Sequence, residues 1–509
     1  MNLAKLFEFA VGRGPARVAL VDNGQSYTFL ELDREVNRVA SSLRKIGIGQ
    51  RDRVMVLLKN RRQTVCLFWA LQKLGAIFIP VNFHCSSADI AFCIHDVEPK
   101  AIIYEDFVYS RMPRTTMATQ PVYISLEPNG GDVTYAELVE NGSAEFDCSP
   151  GDDEDIALML YTSGTSGVPK GVPRSHKNEY ASTMAHIIQN RYEIFDSSLG
   201  AMPLYHTMGV HSLLAMTMLN GKFVSVPDFD SDLALAAIAQ ERVTCLYMIP
   251  TMYHELVTNR RLNEFDISSV EKIGYAGAPM SHALIQECQR VFKPKVFLNH
   301  YGSTEIYTFS TCPNVAEKPG CAGRPGINQN LRLISLTPHA TPKDEVGKNE
   351  IGQVIVHMGS DEAFKGYWNR PEVTREVIHD NWFFTGDIGL LDDDGDLFIQ
   401  GRTDELVISG VDHVSPLKVE EVLCKHEKVA EVAVTGEKDE RWGQIVVAYV
   451  VPRDSNLTVL ELDRFCKQSS HLSSFERPRK YIFVSELPKG PTGKILRREL
   501  TNKGEAVRG

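Results

Sequence analysis

Short apolar runs alternate along the chain with segments of helical periodicity. In RDRVMVLLKNRRQTVCLFWALQKLGAIFIPVNF, a β-rich run from about Val54 to Leu58 leads into a helical segment and then a second run from about Ile77 to Val81. That is the pattern of a βαβ unit. DIALMLYTSG, TCLYMIP, EKIGYAGAP and KVFLNHYGSTE predict further strands, and the first, third and fourth run straight into polar turns containing glycine. Parallel sheet follows. Open α/β sheets bind ligands at the carboxyl ends of their strands, so three such turns are placed to line one site. After about residue 380 the pattern changes: WFFTGDIGLLDDDGDLFIQGR sets an Asp-Gly turn between two alternating runs, predicting a hairpin. VSPLKVEEVLCKHEKV and LTVLELDRFCKQ then read as helices, and VAEVAVTG, QIVVAYVV and YIFVSEL as strands, which together make a small α+β unit.

At 509 residues the chain is long enough for about three folding units of ~150 residues. Its net charge of −11 is spread without long blocks, which excludes an electrostatic footprint for nucleic acid or anionic lipid. Any anionic ligand therefore needs a local site. Lys5 and Glu8 interrupt what a signal peptide would keep apolar, and Gln72 and Lys73 break the most apolar stretch before it reaches membrane-spanning length. A soluble, cytoplasmic protein without a membrane span is expected. The ten cysteines are scattered with no C-x-x-C, which predicts buried thiols rather than a disulfide framework or a zinc site.

Candidate chemistry concentrates in YTSGTSGVPKG, residues 161–171. Glycines let backbone N–H groups converge, Thr162, Ser163, Thr165 and Ser166 add hydroxyls, Gly164 and Gly167 add freedom, and Lys170 adds a positive charge. Phosphate oxygens suit such a nest, although the same residues also make ordinary surface turns. It is not a Walker A loop, because Pro169 stands where that motif has its second glycine. The GK at Gly493 and Lys494 fails the same motif, with Pro488 and Ile495 at required positions. LDDDGDLF is a turn rather than a calcium loop: placing Gly395 at the invariant glycine puts Leu390 at position one and Gly401 at position twelve. His206 and His211 are five apart, the wrong spacing for a metal pair on one helical face. No G-x-S-x-G marks a serine hydrolase.

TSGTSGVPKG, YGSTE, TGD, GRTDE and PTGK, in that order over nearly the whole chain, resemble the acyl-adenylate-forming superfamily of acyl-CoA synthetases, adenylation domains and luciferases. PLYHTMG, RTDELVISG, DERWGQ and ERPRKY bring the resemblance closest to aromatic-acid CoA ligases such as the 4-chlorobenzoate–CoA ligases. It implies a large multi-sheet α/β domain over residues 1–403 and a small mobile α+β domain over 404–509, hinged at Asp404. The implied activity is ATP-dependent acid–CoA ligation through an acyl-AMP, with ATP, Mg²⁺ and coenzyme A. Thr162 to Lys170 would hold the phosphates, Tyr301 the adenine, Thr304 the α-phosphate and Glu305 the Mg²⁺, within the turn of Gly302 and Ser303. Asp387 and Arg402 would hold the ribose, and Gly277, Ala278 and Pro279 would pass between adenine and acyl group. His206 would wall the acyl pocket with Thr183, Thr207, Met208, Ala276, Tyr307 and Thr308. Lys494 would stabilise the adenylation transition state, after which Ser409 and Gly410 would replace it, while Trp442, Phe475 and Arg477 would contact coenzyme A.

The chain departs from the family after the hinge. SGVDHVSP places Val411 where a second glycine is usual, and Lys418 where a glutamate is common. A β-branched residue disfavours positive φ, so this loop is expected to differ in shape. Met208 and Tyr307 fill space, which suggests a compact aromatic, heteroaromatic or alicyclic acid. A medium-chain fatty acid, transfer to a carrier protein, and a regulator that binds nucleotide without turnover remain alternatives, and oligomeric state stays open, a homodimer included.

Overall fold

The computed structural model describes residues 1–113, 120–128, 130–163, 169–337, 339–409, 412–439, 441–469, 471–489, 495–497 and 499–500, with the backbone alone at 163, 412 and 413. Gly164, Thr165, Ser166, Gly167, Gly410 and Lys494 lie outside the described residues. Two compact units are present, one of Met1–Asn330 with His357–Asn381, the other of Leu331–Val356 with Trp382–Gly509.

The first unit holds two sheets. One runs in the order Val133–Thr134, Val122–Ser125, Ala101–Tyr104, Arg53–Leu57, Ile77–Pro80, Ile156–Ser163, Pro169–Ser175, parallel except for its last hairpin. The anticipated βαβ unit is there: Arg53–Leu57 and Ile77–Pro80 pair in parallel, joined by the helix Arg62–Leu74. The other sheet orders Gln25–Thr28, Val18–Asp22, Lys222–Ser225, Ser197–Gly200, Cys245–Met248, Lys272–Tyr275, Val296–Tyr301, Ser310–Cys312 and Cys321–Pro325. Its middle is parallel and its two ends antiparallel.

Helices Leu3–Arg13, Phe29–Lys45 and Arg62–Leu74 share one core with Val54 and Phe78 of the first sheet and with Leu20 and Phe223 of the second. The helix Phe29–Lys45 starts at a capping box in which Thr28 and Glu31 exchange bonds. Sandwiching explains why Arg62–Leu74 is buried nearly all round: Thr64 through Leu74, Gln72 and Lys73 included, are all buried, and Trp69 stacks on Phe7 at 4.7 Å. Each such large side chain contributes roughly 1.5–3 kcal/mol by leaving water. Among the described residues no helix is long and apolar enough to cross a membrane. Asn60, buried, ties the sheets together, donating to the carbonyls of Gly200 (2.9 Å) and Met202 (2.7 Å) and accepting from Leu204 N–H (3.0 Å).

In the second unit, antiparallel strands Leu331–Ile334, Gly352–His357, Trp382–Leu391 and Leu397–Arg402 include the expected hairpin. At its tip Asp392 Oδ1 accepts the N–H groups of Asp394 and Asp396, so the acidic run is a turn. A second sheet orders Asp412–Val414, Val407–Ser409, Gly443–Pro452 and Val429–Asp439, with Lys480–Phe483 parallel to Gly443–Pro452. Pro416–Leu423 and Val459–Gln468 pack their apolar faces on it. The first of these helices is shorter than its periodicity predicts: it ends at Leu423, where turn bonds from Lys425 N–H to Val422 O and from His426 N–H to Leu423 O (3.1 Å each) replace helical ones, and Val429 then starts the strand pairing with Pro452. Among the described residues no disulfide joins any of the ten cysteines; seven are buried, Cys85 and Cys148 half-buried, and Cys424 is exposed.

Candidate active site

Antiparallel pairing of Ile156–Ser163 with Pro169–Ser175 sets Thr162 opposite Lys170 and Ser163 opposite Pro169. The Lys170 ammonium lies 4.7 Å from the centre of the Tyr367 ring, and the Tyr367 hydroxyl donates to Glu305 Oε1 at 2.6 Å. Glu305 and Tyr367 are both buried. The cation–π contact is worth about 0.5–1 kcal/mol and a hydrogen bond to a charged group about 1.5–3. Lysine, tyrosine and glutamate are thus held in one row. Gly171 allows the approach: a Cβ there would lie 2.8 Å from Met159 Sδ and 3.2 Å from Trp368 Cβ, and Gly171 O accepts the Trp368 N–H at 2.9 Å.

Arg174 organises the backbone beneath. Wholly buried, it donates from Nε to Glu179 Oε1 (2.7 Å), from Nη1 to the carbonyls of Glu305 (2.9 Å) and Glu362 (2.7 Å), and from Nη2 to Ser182 Oγ (3.0 Å). The loop after Val296–Tyr301 closes tightly, with Phe309 N–H on Tyr301 O at 2.8 Å and Ser303 N–H on Ile306 O at 3.1 Å. Gly302 is required there, since a Cβ would meet Tyr307 O at 2.0 Å. Tyr301, Ser303 and Thr304 are half-buried, and the Tyr301 ring meets Phe309 edge-on at 5.1 Å.

Met208, Ala276 and Tyr307 share an apolar cluster with Met202, Tyr247 and Ile249. His206 and Thr207, at the start of the helix Thr207–Met218, are half-buried, and burial pushes the His206 imidazole down to about 4. Gly277 is exposed with φ +85°, followed by half-buried Ala278 and exposed Pro279. Behind this cluster lies a polar group that the sequence does not announce. Tyr307 Oη meets His186 Nδ1 at 2.9 Å, Asn190 Nδ2 meets His186 Nδ1 and His300 Nε2 at 3.0 Å each, and Thr308 Oγ1 lies 3.5 Å from His300 Nδ1. Thr183 Oγ1 meets His211 Nδ1 at 3.0 Å. Burial drives the His186 and His211 imidazoles well down and His300 to about 3, so all three are neutral at pH 7. It raises the Glu179 carboxyl.

In the second unit, Asp387 faces Arg402 across the hairpin. Arg402 Nη1 donates to Asp387 Oδ1 at 2.9 Å and its Nε to Asp404 Oδ1 at 3.0 Å, so one guanidinium joins the expected ribose ligand to the expected hinge. Ser409, half-buried, ends a strand and sits opposite Gly443. Trp442 is 43% exposed, Phe475 packs on the small core, and Arg477 pairs with Asp463 at 3.2 Å. Lys418, in place of the usual glutamate, pairs with Glu476 at 2.6 Å. The backbone flanking residues 490–494 is pinned by a bridge between Lys489 and Ile495 and by Leu496 N–H on Pro488 O at 2.8 Å. Arg497 then donates to both Glu420 oxygens at 2.8 Å.

Residues 7–368 match the AMP-binding enzyme family, and residues 418–494 match the AMP-binding enzyme C-terminal domain. The chain belongs to the AMP-binding enzyme family. A long-chain-fatty-acid–CoA ligase of Mycobacterium tuberculosis is 31% identical over 487 residues, covering 94% of this chain and 93% of its own. A 4-chlorobenzoate–CoA ligase of an Arthrobacter species is 29% identical over 505 residues, covering 97% and 94%. Among solved structures, ATP-bound MatB from Rhodopseudomonas palustris matches with a TM-score of 0.89 at 26% identity, over all of both chains. This AMP-binding enzyme is in reaction class an AMP-forming acid–thiol ligase, as the five ordered motifs suggested. Tyr367, Arg174 and the three buried histidines stand at the candidate site and were missed by motif reading. Tyr367 had one signal, an aromatic pair in the otherwise polar, Gly- and Pro-punctuated FKGYWNRP.

Proposed function

We propose that this AMP-binding enzyme converts a ring-bearing carboxylic acid, ATP and coenzyme A into an acyl-CoA thioester, AMP and pyrophosphate. The row Lys170–Tyr367–Glu305 is the observation that carries the reading: it presents an ammonium and a buried carboxylate beside the hairpin whose turn suits phosphate. A substrate carboxylate oxygen attacks the α-phosphorus and pyrophosphate leaves; the coenzyme A sulfur then attacks the acyl carbon, and AMP leaves with the bonding pair. Activation is needed because the carboxylate oxygen is no leaving group until it carries AMP.

In this assignment Thr162 to Lys170 bind the triphosphate, Thr304 contacts the α-phosphate, Tyr301 and the Gly277–Ala278–Pro279 backbone flank the adenine, and Asp387 accepts from the ribose hydroxyls while Arg402 orients it. Glu305 would hold Mg²⁺; one hard carboxylate oxygen fits an ion that otherwise uses phosphates and water, and the ion would neutralise phosphate charge. Lys494 stabilises the negative charge that spreads over the phosphoryl oxygens. Asp404 serves as hinge between the half-reactions, and Trp442, Phe475 and Arg477 receive the coenzyme, an exposed tryptophan being suited to that role. Met208, Ala276, Tyr307 and His206 bound the acyl group, a compact wall that favours a ring over a long chain. The cytoplasm suits ten cysteines that form no disulfide among the described residues. A pyrophosphate-release screen over ring and chain acids, with and without coenzyme A, tests the assignment: release with ring acids and consumption of free coenzyme A are expected, and selectivity for long alkyl acids refutes the substrate class.

A further inference from the structure

The polar group behind Tyr307 contains atoms left without partners. His211 Nε2, Glu179 Oε2 and His186 Nε2 are wholly buried and have no hydrogen-bond partner among the described residues. Their protonation follows from the bonds that do form. The Thr183 hydroxyl gives its hydrogen to Glu179 O at 2.7 Å, so at 3.0 Å His211 Nδ1 must be the donor and Thr183 Oγ1 the acceptor. A neutral His211 therefore carries a bare lone pair on Nε2. That lone pair faces Glu179 Oε2 at 3.6 Å, too far for a hydrogen bond even if the carboxyl were protonated. Glu179 Oε1 is already taken by Arg174. Two buried acceptors thus lie 3.6 Å apart with no donor among the described residues, an arrangement that costs free energy unless a donor arrives.

The pair adjoins the expected acyl pocket. His211 bonds Thr183, and its ring centre lies 3.9 Å from that of Tyr307, which packs with Met208 and Ala276. On the other side, Tyr307 Oη can donate its hydrogen to His186 Nδ1, which leaves His186 Nε2–H as an unused donor. We propose that this pocket ends in a subsite for a hydrogen-bond-donating ring substituent, a hydroxyl or amino group, held between His211 Nε2 and Glu179 Oε2. An atom about 2.8 Å from each acceptor completes a triangle on the 3.6 Å base. A hydroxyl satisfies one acceptor, and an amino group, with two hydrogens, satisfies both. This rests on the proposed acid–CoA ligase reading and narrows its substrate to a ring acid with a polar distal end.

The test uses matched acids that differ in one group: hydroxy-, amino- and methylbenzoates with the substituent at the meta or para position. Pyrophosphate release by the full-length enzyme gives kcat/KM for each. For the better-placed position the donor-bearing acid should exceed its methyl counterpart by at least about tenfold, because the methyl leaves both acceptors unpaired. His211→Phe should abolish or invert that ratio while its melting temperature confirms folding. Should that variant fail to fold, the wild-type ratio alone decides. Methyl acids that equal or surpass their hydroxy and amino counterparts at both positions overturn the subsite, leave the ligase reading intact, and assign the buried acceptors to an enclosed water. Release with no acid at all removes both.

Discussion

Replacing Tyr367 with Phe isolates one atom of the row that carries the functional reading. The ring stays over Lys170, with its centre 4.7 Å from the ammonium, while the 2.6 Å bond to Glu305 Oε1 is lost. Glu305 is only 8% exposed, so water replaces that bond poorly. A hydrogen bond to a charged group contributes about 1.5–3 kcal/mol, and each 1.36 kcal/mol is tenfold. If that energy orients the carboxylate for Mg²⁺, kcat/KM for pyrophosphate release falls about 10- to 100-fold and the Mg²⁺ concentration for half-maximal rate rises. Thioester formation from supplied acyl-AMP, which needs no pyrophosphate departure, should stay within about twofold of wild type. Tyr367→Leu also removes the ring and should cost a further ~0.5–1 kcal/mol in ATP-dependent steps. A Tyr367→Phe enzyme with unchanged pyrophosphate release and unchanged Mg²⁺ dependence refutes the argument that the hydroxyl positions a metal ligand.

Lys494→Ala is expected to abolish acyl-AMP formation yet spare thioester synthesis from supplied acyl-AMP; equal loss of both half-reactions contradicts its role. Asp387→Ala should raise the KM for ATP at least tenfold with little effect on the KM for the acid, measured by pyrophosphate release, since Arg402 then has no carboxylate at the ribose position. Arg497→Ala leaves the buried Glu420 without its two-pronged partner and should destabilise the protein by about 3–5 kcal/mol in urea unfolding; a loss under about 1 kcal/mol refutes it. His300 is depressed to about 3, so its contribution to stability is fully present above pH ~6.5 and is lost as pH falls below that value. The stability difference between wild type and His300→Gln should accordingly shrink on acidification, and an imidazole NMR titration of His300 near 6.5 would exclude the assignment.

The chain pattern exposed the architecture well because its determinants are local. The run–helix–run around Arg62–Leu74, the glycine turns after Lys272–Tyr275 and Val296–Tyr301, and the Asp-Gly hairpin each depend on neighbours in sequence. The pairing of the candidate phosphate residues was legible for the same reason: Thr162 and Lys170 belong to one hairpin. Tyr367 was hidden because its meaning lies in two partners, 62 residues away at Glu305 and still farther at Lys170. His186, His211 and His300 sit on three separate elements and carry no spacing that a scan along the chain detects. The helix after Ser415 was overextended because helical periodicity continued past Leu423 through a turn at residues 424–428 to Val429, which strand pairing claims. Long-range competition of this kind leaves no local trace.

Arg174 also constrains how the enzyme comes into being on the ribosome. Its guanidinium holds carbonyls at Glu305 and Glu362, and the Gly171 carbonyl waits for the N–H of Trp368. A nascent chain that has emerged only through the first sheet and the following helix therefore has the hairpin strands paired and Arg174 within reach of Glu179, but lacks the Glu305 and Glu362 carbonyls and the Trp368 N–H that complete the bonds. The candidate site thus locks late in synthesis, once Trp368 has cleared the exit tunnel, and fragments that stop short of it should be substrates for proteases rather than partial enzymes.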